Sequence, residues 1–134
     1  MSSFRFEVVT QERTVVSTDV EYVVLPGLDG KFGILADHVP IMAALQIGIV
    51  EFGPRKGRRR KIALGGGFAE MHDNKLVVLA NTAELAEEID ILRAQRAKER
   101  AERRLAEKRD DLDFTRAQIA LQKALLRLEV ADGE

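Results

Sequence analysis

The sequence predicts a mixed β-then-α fold, in which a β-rich domain, either a sandwich or a barrel, precedes a helical hairpin. Up to about Ala80, short apolar stretches are broken by Gly, Pro, Asp and Asn, which is typical of strands and turns. After Asn81, proline is absent, glycine returns only at Gly133, and Ala, Glu, Arg, Leu and Lys dominate, all of which favour helix. We therefore predict two domains, residues 1–84 and residues 85–134.

Short strands and tight turns are expected throughout the first domain. Its apolar stretches are rich in β-branched side chains, which fit a pleated sheet. The clearest predicted strands are residues 8–9, 15–16, 22–25, 47–52 and 76–79. Turns are expected at residues 26–27, 29–30, 53–54 and 73–74, where Gly, Pro, Asn or Asp supplies the required backbone angles.

Apolar residues in the second domain recur at steps of three and four, the spacing of one helix face. They are Ile91, Ala94, Ala97, Ala101 and Leu105 in the first helix, and Phe114, Ala117, Leu121, Ala124 and Leu128 in the second. Asn81 or Thr82 would cap the entry, and the polar residues 108–111 would separate the helices. Because alanines bury little surface, the hairpin should be marginally stable and able to exchange between docked and extended arrangements.

Composition excludes several classes of function. Lys and Arg total 21 against 22 for Asp and Glu, so the net charge gives no reason to expect nucleic acid or an anionic membrane as the main partner. The absence of cysteine excludes disulfides and thiolate metal sites, and His38 and His72 are too far apart in sequence to suggest a zinc site. Neither histidine is assigned to catalysis, because His38 lies in a loop with no Ser or Cys nucleophile in an identifiable partner motif and His72 lies beside a predicted turn. No signal peptide or membrane span is evident, so we expect a cytosolic chain, which can still belong to a membrane-bound complex.

The Gly65-Gly66-Gly67 sequence could suggest a phosphate-binding loop. No Lys followed by Ser or Thr comes after it, and no helical pattern begins there. We therefore interpret the glycines as positions where the backbone approaches another strand closely or turns sharply.

Residues 55–61, RKGRRRK, form the densest basic run. Such a run can contact nucleic acid or an acidic protein, but its position between two predicted strands favours a solvated hairpin loop. We expect no nucleic-acid partner.

Cations line one face of each predicted helix. They are Arg93, Arg100 and Arg104 in the first helix, and Arg116, Lys123 and Arg127 in the second. If the two faces meet, repulsion must be relieved by water, by acidic side chains or by a bound anion. The alternative is a solvated face, neutralised by pairs such as Glu99 with Arg103. Asp90, one turn before Arg93, could accept hydrogen bonds from a polar ligand.

Two segments resemble the ATP synthase epsilon subunit family, and the resemblance covers essentially the whole chain. The first is residues 25–40, LPGLDGKFGILADHVP, and the second runs from Gly65 to Glu84. The resemblance implies a β-sandwich that binds the gamma subunit and the membrane rotor c-ring. It further implies a hairpin that, when extended, contacts the alpha and beta subunits of the catalytic head and opposes ATP hydrolysis. Such a chain is a peripheral protein at the cytoplasmic face of the cell membrane.

The IDILRA sequence at residues 89–94 resembles a family pattern that contributes to an ATP site in some bacterial relatives. By this resemblance the nucleotide contacts are Glu84, Ile89, Asp90, Arg93, Ala94 and Arg100, with Lys123 and Arg127 at the phosphates. Lys123 stands where ATP-binding relatives have arginine, so it keeps the charge but loses the planar fork. ATP, with or without magnesium, would be a regulatory ligand, and no catalytic cofactor is expected.

Two other classes of protein compete with this interpretation. A generic helical adaptor or scaffold with a β docking domain would explain the charged hairpin, but not both glycine-rich β segments. An independent ATPase is disfavoured, because the chain lacks a P-loop and a recognisable metal and nucleophile arrangement.

Overall fold

In the computed structural model, the chain divides into two compact units, Met1–Leu85 and Ala86–Glu134. The structure describes residues 2–107 and 111–132, and only the backbone of residues 111 and 112. The predicted interruption at residues 108–111 therefore lies mostly outside the described residues, as does Gly133. The docking and regulatory roles expected of the two domains remain predictions.

The first unit consists of strands joined by short turns. The strands are β1 (Phe4–Val9), β2 (Thr14–Val20), β3 (Tyr22–Gly27), β4 (Gly30–Leu35), β5 (Ile41–Gly53), β6 (Arg60–His72), β7 (Lys75–Ala80) and β8 (Ala83–Leu85). Their order in the sheet is β2-β1-β7-β6-β5-β3-β4, with β8 also paired to β6. β1 and β7 are parallel, whereas the other described pairs are antiparallel. All five predicted stretches lie within these strands.

The sheet folds over its own apolar face. β1 alternates in burial, with Phe4, Phe6 and Val8 inside, as the two-residue period of a strand requires. The rings of Phe6 and Phe52 lie 5.3 Å apart, although β1 and β5 are not neighbours in the sheet. Contact between non-adjacent strands through a shared core is the arrangement of a sandwich, so the predicted β-sandwich is confirmed.

The three glycines lie within β6, where this strand changes partner. Ile62 to Leu64 pair with β8, and β6 pairs with β7 from Gly67 onward. Gly66 and Gly67 have φ angles of 85° and 155°, which favour glycine. The interpretation of these glycines as a site of close backbone approach is confirmed.

The predicted turn at Asp73 and Asn74 is confirmed, whereas the other turn predictions need correction. Leu28 and Asp29 form the turn between β3 and β4, so Gly30 already begins β4, and Gly53 is the last residue of β5. Pro26 and Gly27 lie inside β3 instead of in a turn. The pairing of β3 with β5 shifts register between Val24 and Gly27, and a proline, which has no N–H to donate, is tolerated at such an irregularity. The extent of the basic loop also needs correction, since the last two residues of the basic run begin β6 instead of extending the loop.

The second unit contains a 3-10 turn (Ala86–Glu88), helix α1 (Ile91–Glu107) and helix α2 (Asp111–Ala131). The prediction that Asn81 or Thr82 caps a helix is wrong. The amide of Asn81 donates to the carbonyl of Gly66 at 2.9 Å, and the carbonyl of Thr82 accepts from Gly65 at 2.8 Å. These backbone groups bond to β6, so the chain bends at Asn81 and Thr82 and continues as β8 to Leu85 instead of entering a helix.

α1 and α2 pack through small side chains. Ala94 and Ala101 in α1, and Ala117 and Ala124 in α2, are each at most 2% exposed, and the members of each pair are seven residues apart. We call these four residues the alanine seam. Ile91 and Phe114, predicted to join it, are 49% and 39% exposed. Each lies three residues before the first seam alanine of its helix, which rotates its side chain by about 60° around the helix axis from that alanine. Both residues therefore lie at the edge of the contact between the helices.

No helix in the described parts of the chain is long and apolar enough to cross a membrane.

Candidate functional site

Asp90 immediately precedes α1 and caps it. Its carboxylate Oδ1 accepts a hydrogen bond from the backbone N–H of Arg93 at 3.0 Å, and its carbonyl accepts from the N–H of Ala94 at 3.0 Å. This is the geometry of a helix N-cap, which satisfies amides that have no partner within the helix. Sequence reasoning assigned Asp90 to a ligand and missed this role, although an Asp directly before a helical period is its usual signal.

The cap leads to a prediction about α1. Asp90→Ala should destabilise the first turn of α1 by about 1 kcal/mol, and Asp90→Asn should cost much less, since its amide oxygen can still accept. Amide hydrogen exchange at Arg93 and Ala94 measures this directly, with Glu99→Ala as a control at an exposed acid within the helix. Unchanged amide exchange at Arg93 and Ala94 in Asp90→Ala would show that the cap does not stabilise the first turn of α1.

Ile89 and Ala94 are mostly covered by protein, with exposed fractions of 8% and 2%. The amide of Ile89 also bonds to the carbonyl of Ala86 at 3.3 Å. Little of either side chain is available to a ligand in this arrangement. Glu84 belongs to the other compact unit, where β8 pairs it with Ala63.

The predicted cations on α1 and α2 differ in position along the helices. Because the last turns of α1 and the first turns of α2 line a common cavity, the helices are antiparallel. The equal spacing of the alanine seam then places Ala101 level with Ala117, and Ala94 level with Ala124. Lys123 and Arg127, both half-buried, therefore lie near the beginning of α1 with Arg93, whereas Arg100 is about 10 Å further along the axis.

The cavity between α1 and α2 has a volume of about 520 Å³. Its charged lining residues are Arg100, Arg103, Arg104, Glu107, Asp113 and Arg116. The structure thus brings together three arginines that the sequence placed on facing helix surfaces, and it adds Arg103. The described residues that line this cavity do not include Arg93, Lys123 or Arg127. Sequence reasoning missed Arg103 because it paired that residue with Glu99 along the same helix.

The basic loop of the β domain is fixed locally. The amide of Arg55 donates to Glu21 Oε1 at 3.0 Å, and the Arg59 guanidinium lies 4.9 Å from the centre of the Tyr22 ring and 3.8 Å from Glu51.

Within the described residues, no group of three or more His, Cys, Asp or Glu could hold a metal ion.

Two family models together match nearly the whole chain. The beta-sandwich domain of the ATP synthase delta/epsilon chain matches residues 3–86, and the long alpha-helix domain of the same family matches residues 87–132. The chain belongs to the ATP synthase delta/epsilon chain family. Both halves of the predicted fold therefore have counterparts in one family, which leaves the generic adaptor without support.

Curated relatives place the chain among the epsilon chains of that family. The ATP synthase epsilon chain of Nitratidesulfovibrio vulgaris (strain DP4) is 48% identical over 96% of this chain and 95% of its own length. The ATP synthase epsilon chain of Syntrophomonas wolfei is 43% identical over 98% of this chain and 96% of its own length.

Solved structures share the fold. A chain in the Euglena gracilis mitochondrial ATP synthase (OSCP/F1/c-ring) has a TM-score of 0.80 at 24% identity, covering 98% of this chain and 82% of its own length. A chain in the central stalk and c-ring of the Tetrahymena thermophila mitochondrial ATP synthase has a TM-score of 0.59 at 11% identity, covering 95% of both chains. At these identities the likeness concerns the fold alone.

Proposed function

We propose that this chain is a non-catalytic central-stalk subunit of a rotary ATP synthase, in which the β domain binds the gamma subunit and the c-ring. The hairpin regulates ATP hydrolysis by contacting the alpha and beta subunits when it is extended. The chain then acts at the cytoplasmic face of the cell membrane as part of an ion-translocating complex. Membership of one family across both domains is the observation that supports this most directly.

The alanine seam supports a movable hairpin. The inward-facing side chains at its centre are methyl groups, which remove little apolar surface from water compared with leucine or phenylalanine. Separating the helices therefore costs less than opening an ordinary helix interface. A ligand that binds only the compact hairpin would shift the equilibrium towards the compact state. The size of the shift is set by the difference between its affinities for the compact and extended states.

ATP is the ligand proposed for the compact hairpin, bound without hydrolysis. Its adenosine would lie near Ile89, Asp90 and Ala94. The phosphates would offset repulsion among Arg93, Arg100, Lys123 and Arg127 through charge-assisted hydrogen bonds. The single free oxygen of Asp90 could accept from the adenine amino group, because its other oxygen caps α1.

Titration of the full chain with ATP, followed by amide NMR with and without magnesium, tests this site. We expect Arg93→Ala and Arg127→Ala to weaken binding about tenfold or more, since hydrogen bonds to charged groups contribute about 1.5–3 kcal/mol. Arg96→Ala removes an exposed α1 cation outside the proposed site and should leave the affinity nearly unchanged.

Equal affinities in all four proteins would place the site elsewhere, as would ATP-dependent shifts confined to residues 55–61. Phosphate release by the pure chain would contradict a purely regulatory role.

A further inference from the structure

We propose that the cavity between the end of α1 and the start of α2 is a second anion site, specific for a small phosphate anion and separate from the ATP site. We call it the distal arginine cavity, and its defining residues are Arg103, Arg104 and Arg116. Arg100 also lines the cavity and belongs to the proposed ATP site as well, so the two sites adjoin at this residue. This inference does not depend on the proposed ATP binding.

Charge is the first argument for this site. Among the described residues, the lining carries four guanidinium groups against the two carboxylates of Glu107 and Asp113, an excess of positive charge. Within the described residues, no ion pair neutralises Arg100, Arg103, Arg104 or Arg116. Arg116 approaches the other three from the opposite helix, so closing the hairpin brings like charges together. A bound anion removes this cost of closure.

The chemistry of the cavity also suits a phosphate group. Its volume of about 520 Å³ is larger than one phosphate group needs, so it can admit phosphate or pyrophosphate together with water, and its arginine side chains are exposed to solvent and accessible to a ligand. Guanidinium groups donate two parallel hydrogen bonds to phosphate oxygens, which a lysine cannot do. The positive end of α2 and the negative end of α1 lie at the same end of the hairpin, so their dipoles largely offset each other. The arginines therefore determine the preference for an anion.

Apart from the shared Arg100, position separates the defining residues of this cavity from the proposed ATP site. Arg104 is eleven residues beyond Arg93, about 16 Å along α1. On α2, Arg116 precedes Lys123 by seven residues, about 10 Å. Arg104→Ala and Arg116→Ala can therefore test the cavity while leaving Arg93, Lys123 and Arg127 in place.

The probes are sodium pyrophosphate and inorganic phosphate, titrated separately into the full chain at constant ionic strength, with sulfate as a matched anion. Amide NMR should detect saturable shifts around Arg103, Arg104 and Arg116. We expect Arg104→Ala and Arg116→Ala each to weaken pyrophosphate binding about tenfold or more. Arg104→Lys should retain only part of the affinity, whereas Arg93→Ala and Arg96→Ala should bind pyrophosphate as the wild type does.

The two phosphate probes identify the ligand. Saturation by both supports a site for a single phosphate group, and saturation by pyrophosphate alone supports one that needs two linked phosphates. Equal shifts with sulfate would overturn the proposal, because they would indicate only a general ionic response. Loss of pyrophosphate binding in Arg93→Ala would also overturn it, by assigning the effect to the ATP site. Unchanged amide protection on the alanine seam verifies that each variant keeps the hairpin folded. If Arg116→Ala unfolds the hairpin, Arg116→Gln replaces it in the test.

Discussion

Replacing Gly67 by alanine should destabilise the β domain by about 2–6 kcal/mol, a large fraction of the total stability of a domain of this size. A Cβ at this position would overlap the carbonyl oxygen of Leu79 and lie 3.0 Å from the Cα of Ala80. Both atoms are backbone atoms of β7, so neither can move without breaking the pairing of β6 with β7. Steric overlap in a packed region and an unfavourable φ each contribute about 1–3 kcal/mol.

Gly30→Ala separates these two costs. Gly30 also has a positive φ, 129°, but a Cβ there would meet no atom within 4 Å. This variant should lose only the backbone contribution, about 1–3 kcal/mol. Urea unfolding of the full chain, followed by near-ultraviolet signals of the β domain, measures both. Equal losses in the two variants would show that close approach of β6 to β7 is not what requires glycine at position 67.

Removing the hairpin should raise ATP hydrolysis by the assembled enzyme several-fold at low ATP concentration, where the proposal places the hairpin in its extended state. A chain ending at Leu85 keeps the whole sandwich core, since every residue of that core precedes Ala86. Assembly with gamma should therefore survive. At high ATP concentration, inhibition of the wild-type enzyme by the hairpin should already be relieved. Truncation should therefore change the rate of ATP hydrolysis little.

Arg93→Ala is the matched control for this experiment, because it keeps the hairpin and removes one proposed phosphate contact. An enzyme carrying it should stay inhibited at both ATP concentrations. Hydrolysis that is the same with and without the hairpin at every ATP concentration, in a fully assembled complex, would refute regulation by the hairpin.

Most of the fold prediction was based on the spacing of apolar residues along the chain. The prediction failed where that spacing shows no clear period. β4 was missed because its sequence, GKFGIL, contains two glycines and no clear alternation. β8 was missed because three residues are too few to display a period, and its partners in β6 lie about twenty residues earlier. Pairing with a distant strand decided the conformation of Ala83–Leu85, and local sequence does not encode that pairing.

The candidate site was predictable along each helix but not between helices. A period of 3.6 places Arg100 and Arg104 on one face whatever their surroundings. Which α2 residue faces them depends on the relative register of α1 and α2, which the alanine seam sets. Small changes in that register decide whether Arg116 or Lys123 lies nearest to Arg100. The role of Asp90 as a cap required knowing that α1 begins at Ile91.

The short strand β8 gives the β domain a mechanically firm exit point. Hydrogen bonds of an antiparallel pair run perpendicular to the strands. A pull along β8 therefore loads the bonds to β6 together in shear, and they cannot open one at a time from the end. Tension arriving through Ala86 would be borne by the peptide groups of β6, a central strand flanked by β5 and β7. Residues 86–90 lie outside the sandwich core, so a change in their dihedral angles need not disturb the packing of Phe6 against Phe52.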